Sequence, residues 1–124
     1  MSVHRVVPNI PVGGGGAGSD ASALRDNAAF YGLLGFEEVM NHGWIMTLAS
    51  PTQPAAQVSF MTRDETGPVS PDLSVEVADV DAVHAALVGA GAEIVYGPSD
   101  EEWGVRRFFV RDPNGKVVNV LTHR

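Results

Sequence analysis

The sequence predicts an α+β domain built from two βαβββ modules, and three features of its 124 residues support this prediction. The same order of apolar runs and helix-periodic segments occurs twice along the chain. The halves align at 7–12 with 72–77, at 34–39 with 90–95, and at 57–62 with 117–122. A polar stretch with proline and glycine lies between them. We therefore expect a single domain, 1–124, with modules at about 1–63 and 72–124 and a linker at about 64–71.

In the first module, an apolar run from Val3 to Val12 predicts a strand, and a glycine-rich loop follows it. The next segment predicts a helix, because apolar residues recur at helical spacing and a glycine stands at its end; these are Leu24, Ala28, Tyr31, Leu34 and Gly35. Short β-branched and aromatic runs at 37–50 and 55–62, interrupted by turn residues, predict antiparallel strands.

The second module repeats this order. Residues 72–80 predict a strand, and 81–95 predict a helix that ends at Gly89 or Gly91 and leads into another strand. The last stretch predicts two strands joined by a turn over Asp112–Gly115. Since one helix covers only one face of each sheet, the other face needs a partner module or a second chain. We expect a cavity between these layers and a homodimer.

Composition excludes several kinds of partner. Eight basic and fifteen acidic side chains give a net charge of -7, which repels nucleic acid and favours cationic ligands. There is no cysteine, so disulfides and thiolate metal sites are absent and a reducing cytoplasm is the expected location. No apolar run is long enough to span a bilayer, and no membrane partner is expected.

Four segments together resemble the vicinal oxygen chelate superfamily: "FYGLLGF", "VEVADVDAVHAAL", "AGAEIV" and "WGVRRFFVRDPNGKVVNV". This superfamily includes glyoxalase I, extradiol dioxygenases, fosfomycin-resistance enzymes and bleomycin-resistance proteins. The resemblance covers nearly the whole chain, apart from the long glycine-rich loop. It implies the glyoxalase/bleomycin resistance fold, in which two βαβββ modules form a cupped mixed sheet with the helices on its outer face.

In metal-dependent members, the resemblance implies ligands at the start of each module's first strand and on each module's last strand. The matching positions here are Val7, Ser59, Asp72 and Asn119. Only Asp72 is a good ligand, because Val7 offers no donor and the other two offer weak neutral oxygens. We therefore expect no metal cofactor; the alternative is a divalent ion such as Mn, Fe, Ni or Zn.

Several residues are candidates for contact with a small molecule. Trp103 and Trp44, each beside a glycine, would supply aromatic walls. On the last strand Asn119 shares a face with Val117 and Leu121, so we expect a buried amide that orients a ligand. Asp72 is the leading candidate for a charged group inside the cavity. Ser59 and Asn9 complete the expected ligand-binding set.

Two further patterns leave alternatives open. Asp100, Glu101 and Glu102 precede Trp103 and would either hold a cation beside its ring or form a solvated loop. The spacing Gly13-x-Gly15-x-x-Gly18 matches a dinucleotide fingerprint, but short strands follow it where that fingerprint needs crossover helices. We favour a surface loop, with Ser19 or Asp20 as the N-cap of the following helix.

The favoured function is metal-independent binding of a small molecule, nearest to the bleomycin-resistance members that the resemblance implies. The ligand would be an aromatic or cationic, antibiotic-like molecule that the protein sequesters, and no catalytic residue is assigned. The alternative is a metal-dependent lyase, isomerase or dioxygenase of the same superfamily. A third possibility is a metal-free enzyme that uses Asp72 or His42 as a general base.

Overall fold

A computed structural model of the chain describes residues 1–13 and 17–124. The elements are β1 Val3–Pro11, α1 Ala17–Gly32, β2 Glu37–Asn41, β3 Ile45–Ala49, β4 Gln57–Met61, β5 Leu73–Val77, α2 Val80–Gly89, β6 Ile94–Glu101, β7 Val105–Arg111 and β8 Val117–His123. The order βαβββ occurs twice, so the predicted α+β class is confirmed. No helix in this described part of the chain is long and apolar enough to cross a membrane.

The chain divides into two compact units. The N-terminal unit comprises Val7–Glu65, and the C-terminal unit comprises Met1–Val6 together with Thr66–Arg124. Strand β1 therefore contributes its first residues to the C-terminal unit and its remaining residues to the N-terminal unit. Each unit has its own helix and its own buried core.

In the N-terminal unit the strand order is β2-β3-β4-β1, with β4 parallel to β1 and antiparallel to β3. Helix α1 covers one face of these strands. Leu24 packs there with Met46, Leu48, Val58 and Phe60, and Ala28 and Tyr31 pack against this cluster. The helical spacing of the α1 residues thus predicts the buried side of the helix correctly.

In the C-terminal unit β8 is parallel to β5 and antiparallel to β7, which pairs with β6. Helix α2 begins after Asp79, whose side chain accepts a hydrogen bond from the Ala82 backbone N–H at 3.1 Å. This N-cap satisfies an otherwise unpaired donor of the first turn. The core beneath α2 consists of Val77, Val80, Phe108, Val110 and Val120.

The internal repeat extends to the register of the strands. In the N-terminal unit Asn9 lies opposite Ser59 on parallel strands, and in the C-terminal unit Ser74 lies opposite Asn119. Both pairs follow from the alignment of 7–12 with 72–77 and of 57–62 with 117–122. The two units therefore use the same strand pairing as well as the same element order.

Three predicted boundaries need correction. Helix α1 begins at Ala17, so positions 19 and 20 already lie within the helix and neither residue is its N-cap. The helix ends at Gly32, and Leu34 is exposed beyond it because the chain turns there toward Gly35. Strand β6 continues to Glu101, into the acidic run.

The dinucleotide fingerprint includes Gly15, which lies outside the described residues.

Candidate functional site

The alternation of side chains along β7 and β8 separates two faces in the C-terminal unit. Phe108 and Val120 pack in the core beneath α2. Asn119 pairs with Phe109 across β7 and β8, and these residues point away from that core. We call this second face, which carries Ser74, Arg107, Phe109 and Asn119, the polar face.

In the described part of the chain, Asn119 carries an unpaired hydrogen-bond acceptor on the polar face. The residue is 5% exposed, and its Nδ2 donates a hydrogen bond to the Ser74 Oγ at 3.0 Å. Its Oδ1 is buried and has no hydrogen-bond partner within the described ranges, 1–13 and 17–124. Leaving a buried acceptor unpaired costs about 1–3 kcal/mol. Asn119 therefore offers one strong, desolvated acceptor to an N–H or O–H group.

Arg107 is a buried cation on the same face, with only 1% of its surface exposed. Its guanidinium carbon lies 4.7 Å from the ring centroid of Phe109, 5.2 Å from that of Trp103 and 5.7 Å from that of Tyr96. Contacts of this kind are attractive because the ring faces carry negative charge, and they strengthen when water is excluded. Three aromatic rings thus surround one guanidinium.

Polar groups complete the environment of Arg107. Its Nε lies 3.4 Å from the Glu101 Oε1, and its terminal nitrogen donates to the Thr66 Oγ1 at 2.9 Å. Tyr96 donates its hydroxyl to the same Glu101 oxygen at 2.5 Å. This hydrogen bond to a carboxylate is the main reason that the pKa of Tyr96 is raised above its ordinary value of 10.0. The buried charges of Arg107 and Glu101 thereby compensate each other.

This cluster answers the question that the acidic run 100–102 leaves open. Glu101 and Trp103 do hold a cation, but that cation is Arg107 of the same chain. Asp100 pairs with Arg106. Glu101 is buried at the end of β6, so the alternative of a fully solvated loop is wrong for this residue. Trp103 is half-buried, and its Nε1 donates to the Thr66 Oγ1 at 3.2 Å.

Asp72 does not supply the enclosed charge that its strand position led us to expect. The residue is exposed, one position before β5 begins. Its Oδ2 accepts a hydrogen bond from the backbone N–H of Val117 at 2.8 Å. The carboxylate therefore anchors the start of β8 to the start of β5, and this structural role corrects the expectation of a cavity carboxylate.

In the N-terminal unit Asn9 and Ser59 are buried on strand positions that face away from α1. The Ser59 hydroxyl is 2.7 Å from that of Thr47, which lies opposite it on β3. Each hydroxyl can donate only one proton, so this pair forms a single shared hydrogen bond. Both predicted residues therefore belong to a buried polar patch of their own unit.

Trp44 lines a pocket of about 510 Å³ on the α1 side of the N-terminal unit. Leu24 and Met46 form its buried apolar floor, and the rings of Trp44 and His42 stand 6.3 Å apart with an angle of 28° between their planes. The remaining lining residues come from α1, the β2–β3 hairpin and the end of β4: Asp20, Ala21, Arg25, Ala28, Glu38, Asn41, Gly43, Thr62 and Glu65.

The positions at which the family resemblance implies metal ligands provide a poor donor set. Val7 has no metal-binding atom in its side chain, the Ser59 hydroxyl is hydrogen-bonded to that of Thr47, and Asp72 accepts from a backbone N–H. Asn119 contributes one neutral oxygen. No group of three or more His, Asp or Glu side chains in the described part of the chain could hold a metal ion. These residues do not fit a divalent transition-metal ion, which prefers imidazole and carboxylate ligands.

The predicted site residues are divided between the two units. Asn119 and Trp103 belong to the C-terminal unit, and Trp44, Ser59 and Asn9 belong to the N-terminal unit. Sequence reasoning missed the buried pair Arg107 and Glu101. The sequence does contain an indication of this pair. Strand alternation in 105–111 puts Arg107 on the same face as the apolar residues Val105 and Phe109, and a charge among apolar residues needs a partner.

A family model described as the Glyoxalase/Bleomycin resistance protein/Dioxygenase superfamily matches residues 21–120. No curated protein matches the chain in sequence.

Solved structures share the fold. The chain is similar to a structure described as NAD-dependent benzaldehyde dehydrogenase from Legionella pneumophila, with a TM-score of 0.69 at 14% identity, over 97% of this chain and 100% of the other. It is similar to a glyoxalase/bleomycin resistance protein/dioxygenase superfamily member from Vibrio splendidus 12B01, with a TM-score of 0.64 at 16% identity over 98% and 99%. For methylmalonyl-CoA epimerase from Mycobacterium tuberculosis, the TM-score is 0.63 at 20% identity over 98% and 87%. At these identities the likeness concerns the fold alone.

Proposed function

Because the chain belongs to the glyoxalase/bleomycin resistance protein/dioxygenase superfamily, we propose that it is a metal-independent protein that binds a small organic molecule at Asn119. The proposed ligand is an aromatic or cationic, antibiotic-like molecule that carries N–H or O–H donors. The proposed activity is sequestration without a chemical step, as in the bleomycin-resistance members of the superfamily.

One observation carries this proposal: the buried Oδ1 of Asn119 has no hydrogen-bond partner within the described residues. Buried polar groups are nearly always paired, and an exception needs a physical reason. A ligand that donates a hydrogen bond supplies that reason, because it would remove the cost of the unpaired acceptor. The Ser74 hydroxyl accepts from Nδ2 at 3.0 Å, and in this orientation of the amide Oδ1 is the atom left for a ligand.

The chemistry of the candidate ligand set supports binding without a metal. A metal-dependent lyase, isomerase or dioxygenase would need several imidazole or carboxylate ligands, and the corresponding positions are a valine, a serine, an exposed aspartate and an amide. The net charge of -7 further supports a cationic ligand, because it raises the local concentration of cations around the protein.

A titration with metal-free bleomycin, in the presence of a chelator, tests the proposal. Trp103 lies in the same unit as Asn119, so its emission should report binding, and the variant Trp44→Phe makes it the sole tryptophan. We expect saturable binding that Asn119→Ala weakens about tenfold, since a lost hydrogen bond in a buried site costs about 1–2 kcal/mol.

The matched control is Asn114→Ala, because Asn114 is an exposed amide in the β7–β8 turn. Equal affinity for Asn119→Ala and Asn114→Ala would contradict a role for Asn119. Purified protein that contains stoichiometric Mn, Fe, Ni or Zn, and that loses the metal in Asp72→Ala, would replace the proposal with the metal-dependent alternative.

A further inference from the structure

We propose that the pocket beside Trp44 is a second binding site, and that it takes a planar aromatic cation. The pocket lies entirely within the N-terminal unit, whereas Asn119 belongs to the C-terminal unit. The pocket can therefore bind a ligand whether or not Asn119 does.

The position of the pocket separates it from the polar positions of its own unit. Met46 and Leu24, which form its floor, belong to the core between α1 and the sheet. Ser59 and Thr47 occupy the alternate strand positions and point to the other face. A volume of about 510 Å³ is in the range of pockets that hold small molecules.

The walls of the pocket suit a flat apolar ring. Trp44 and His42 stand with nearly parallel ring planes, and Leu24, Ala28 and Met46 add aliphatic surface. Trp provides a large rigid contact area at a small cost in side-chain entropy. An aromatic ligand can therefore bury its surface against these groups.

The charges around the pocket favour a cation. Asp20, Glu38 and Glu65 line it, together with one basic residue, Arg25. Arg25 and Glu38 form no ion pair with a described residue, and Glu65 is 3.7 Å from the exposed Arg63. The excess of carboxylates beside an indole ring attracts a positive ligand both by charge and by the ring's negative face.

The internal repeat gives an independent argument for the cation. Ile45 lies opposite Met61, and Arg107 lies opposite Leu121 at the matching place in the repeat. The residue before Ile45 is Trp44, so its counterpart in the C-terminal unit is Arg106.

In the C-terminal unit the counterpart position holds a cation of the chain itself. The Arg106 guanidinium donates to Asp81 in the first turn of α2 at 2.8 Å and to Asp100 of β6 at 3.2 Å. In the N-terminal unit the first turn of α1 also carries an aspartate, Asp20, but Trp44 replaces the arginine. A first-turn aspartate is therefore present in both units, whereas the arginine position of the C-terminal unit holds an aromatic ring in the N-terminal unit. A carboxylate beside an indole ring favours a cationic ligand.

Calorimetric titration with N-methylquinolinium as the probe tests the proposal, with quinoline, at a pH where it is neutral, as the uncharged comparison. We expect saturable binding of the cation to one site per N-terminal unit, and binding of quinoline at least about tenfold weaker. Higher salt should weaken binding of the cation, because the pocket is open to solvent and its charges are screened.

Substitutions in the pocket provide the matched comparison. Glu38→Gln should weaken binding of the cation about threefold, since it removes one exposed charge interaction that solvent partly screens. Glu37→Gln should leave it unchanged, because Glu37 precedes Glu38 on β2 and does not line the pocket. Trp44→Arg, which installs the counterpart residue of the C-terminal unit, should abolish binding while the far-UV circular dichroism is retained.

Equal affinities for N-methylquinolinium and quinoline would overturn the assignment of a cation. No saturable binding, or equal affinities for Glu38→Gln, Glu37→Gln and the unmodified protein, would overturn the site itself. Trp44→Leu provides a second check if Trp44→Arg does not fold, because it removes the ring without adding charge and should weaken binding about tenfold.

Discussion

At the scale of single residues, Arg107 is a buried charge at a position where the two repeated units differ. The corresponding position in the N-terminal unit is Ile45, a buried aliphatic residue. In the C-terminal unit the same position carries a guanidinium, and Glu101, Thr66 and three rings are arranged around it. A cation inside a core is tolerated only when its charge and its donors are matched.

Arg107→Met should therefore destabilise the protein by about 3–5 kcal/mol, because it leaves the Glu101 carboxylate buried without its cation. Urea unfolding followed by circular dichroism measures the loss. Adding Glu101→Gln to Arg107→Met should recover part of it, since the uncompensated buried charge is then absent.

The control is Arg106→Met, one residue earlier on β7. Arg106 binds Asp81 and Asp100 at the protein surface, where solvent screens the pairing, so its loss should be much smaller. If Arg107→Met and Arg106→Met destabilised the protein equally, the buried cluster would not have the role described for it.

At the scale of elements, an ion-pair network connects the ends of three strands in the C-terminal unit. Glu76 of β5 accepts a hydrogen bond from Arg5 of β1 at 2.5 Å and lies 2.7 Å from a ring nitrogen of His123 on β8. Burial alone would raise the pKa of Glu76, but the hydrogen bonds from His123 and Arg5 outweigh it and lower the pKa below the ordinary value of 4.5.

A carboxyl group with a lowered pKa in the folded state stabilises the protein above its unfolded pKa, and this stability is lost as pH falls through the folded pKa. Glu76→Gln should therefore lower the free energy of unfolding at neutral pH. The difference from the unmodified protein should shrink steadily as the pH falls below 4.5.

Urea unfolding at a series of pH values measures this difference. Glu93→Gln is the comparison, because Glu93 is exposed and pairs only at the surface with Arg111, so its effect at neutral pH should be smaller. A difference for Glu76→Gln that stayed constant down to strongly acidic pH would contradict the linkage.

The helices and strands were predictable where apolar side chains recur at a clear helical or strand spacing. The spacing of Leu24, Ala28 and Tyr31 identified α1, and alternation placed Val120 beneath α2 with Asn119 on the other face. The start of α1 was not predictable, because glycine and small residues carry no periodic signal. Acidic residues at 100–102 resembled a loop, whereas cross-strand pairing of Asp100 with Arg106 extends β6 as far as Glu101.

The candidate site was less predictable than the fold, because it depends on contacts between residues far apart in sequence. The face of Asn119 followed from strand alternation, but its partner Ser74 lies 45 positions away. Asp72 was expected to be enclosed, yet its exposure depends on where β5 begins and on the backbone N–H of Val117. The spacing of apolar residues indicates which face of a strand or helix a side chain occupies. It does not indicate which residues from elsewhere in the chain contact that side chain.

At the scale of the whole molecule, the homodimer expected from the one-sided helix covering of each sheet remains a prediction. Light scattering coupled to size-exclusion chromatography decides it, with an expected mass of twice 13.1 kDa. A mass of 13.1 kDa at all protein concentrations would show that a second chain is not needed.

The central claim is that the protein binds its ligand without a divalent metal, and thermal unfolding of chelator-treated protein tests it most directly. A metal that binds only the folded state raises the melting temperature in proportion to the logarithm of its concentration above the Kd. We predict that Mn²⁺, Fe²⁺, Ni²⁺ and Zn²⁺, each added in turn, leave the melting temperature unchanged. A concentration-dependent increase of several degrees that disappears in Asp72→Ala or Asn119→Ala would contradict the claim.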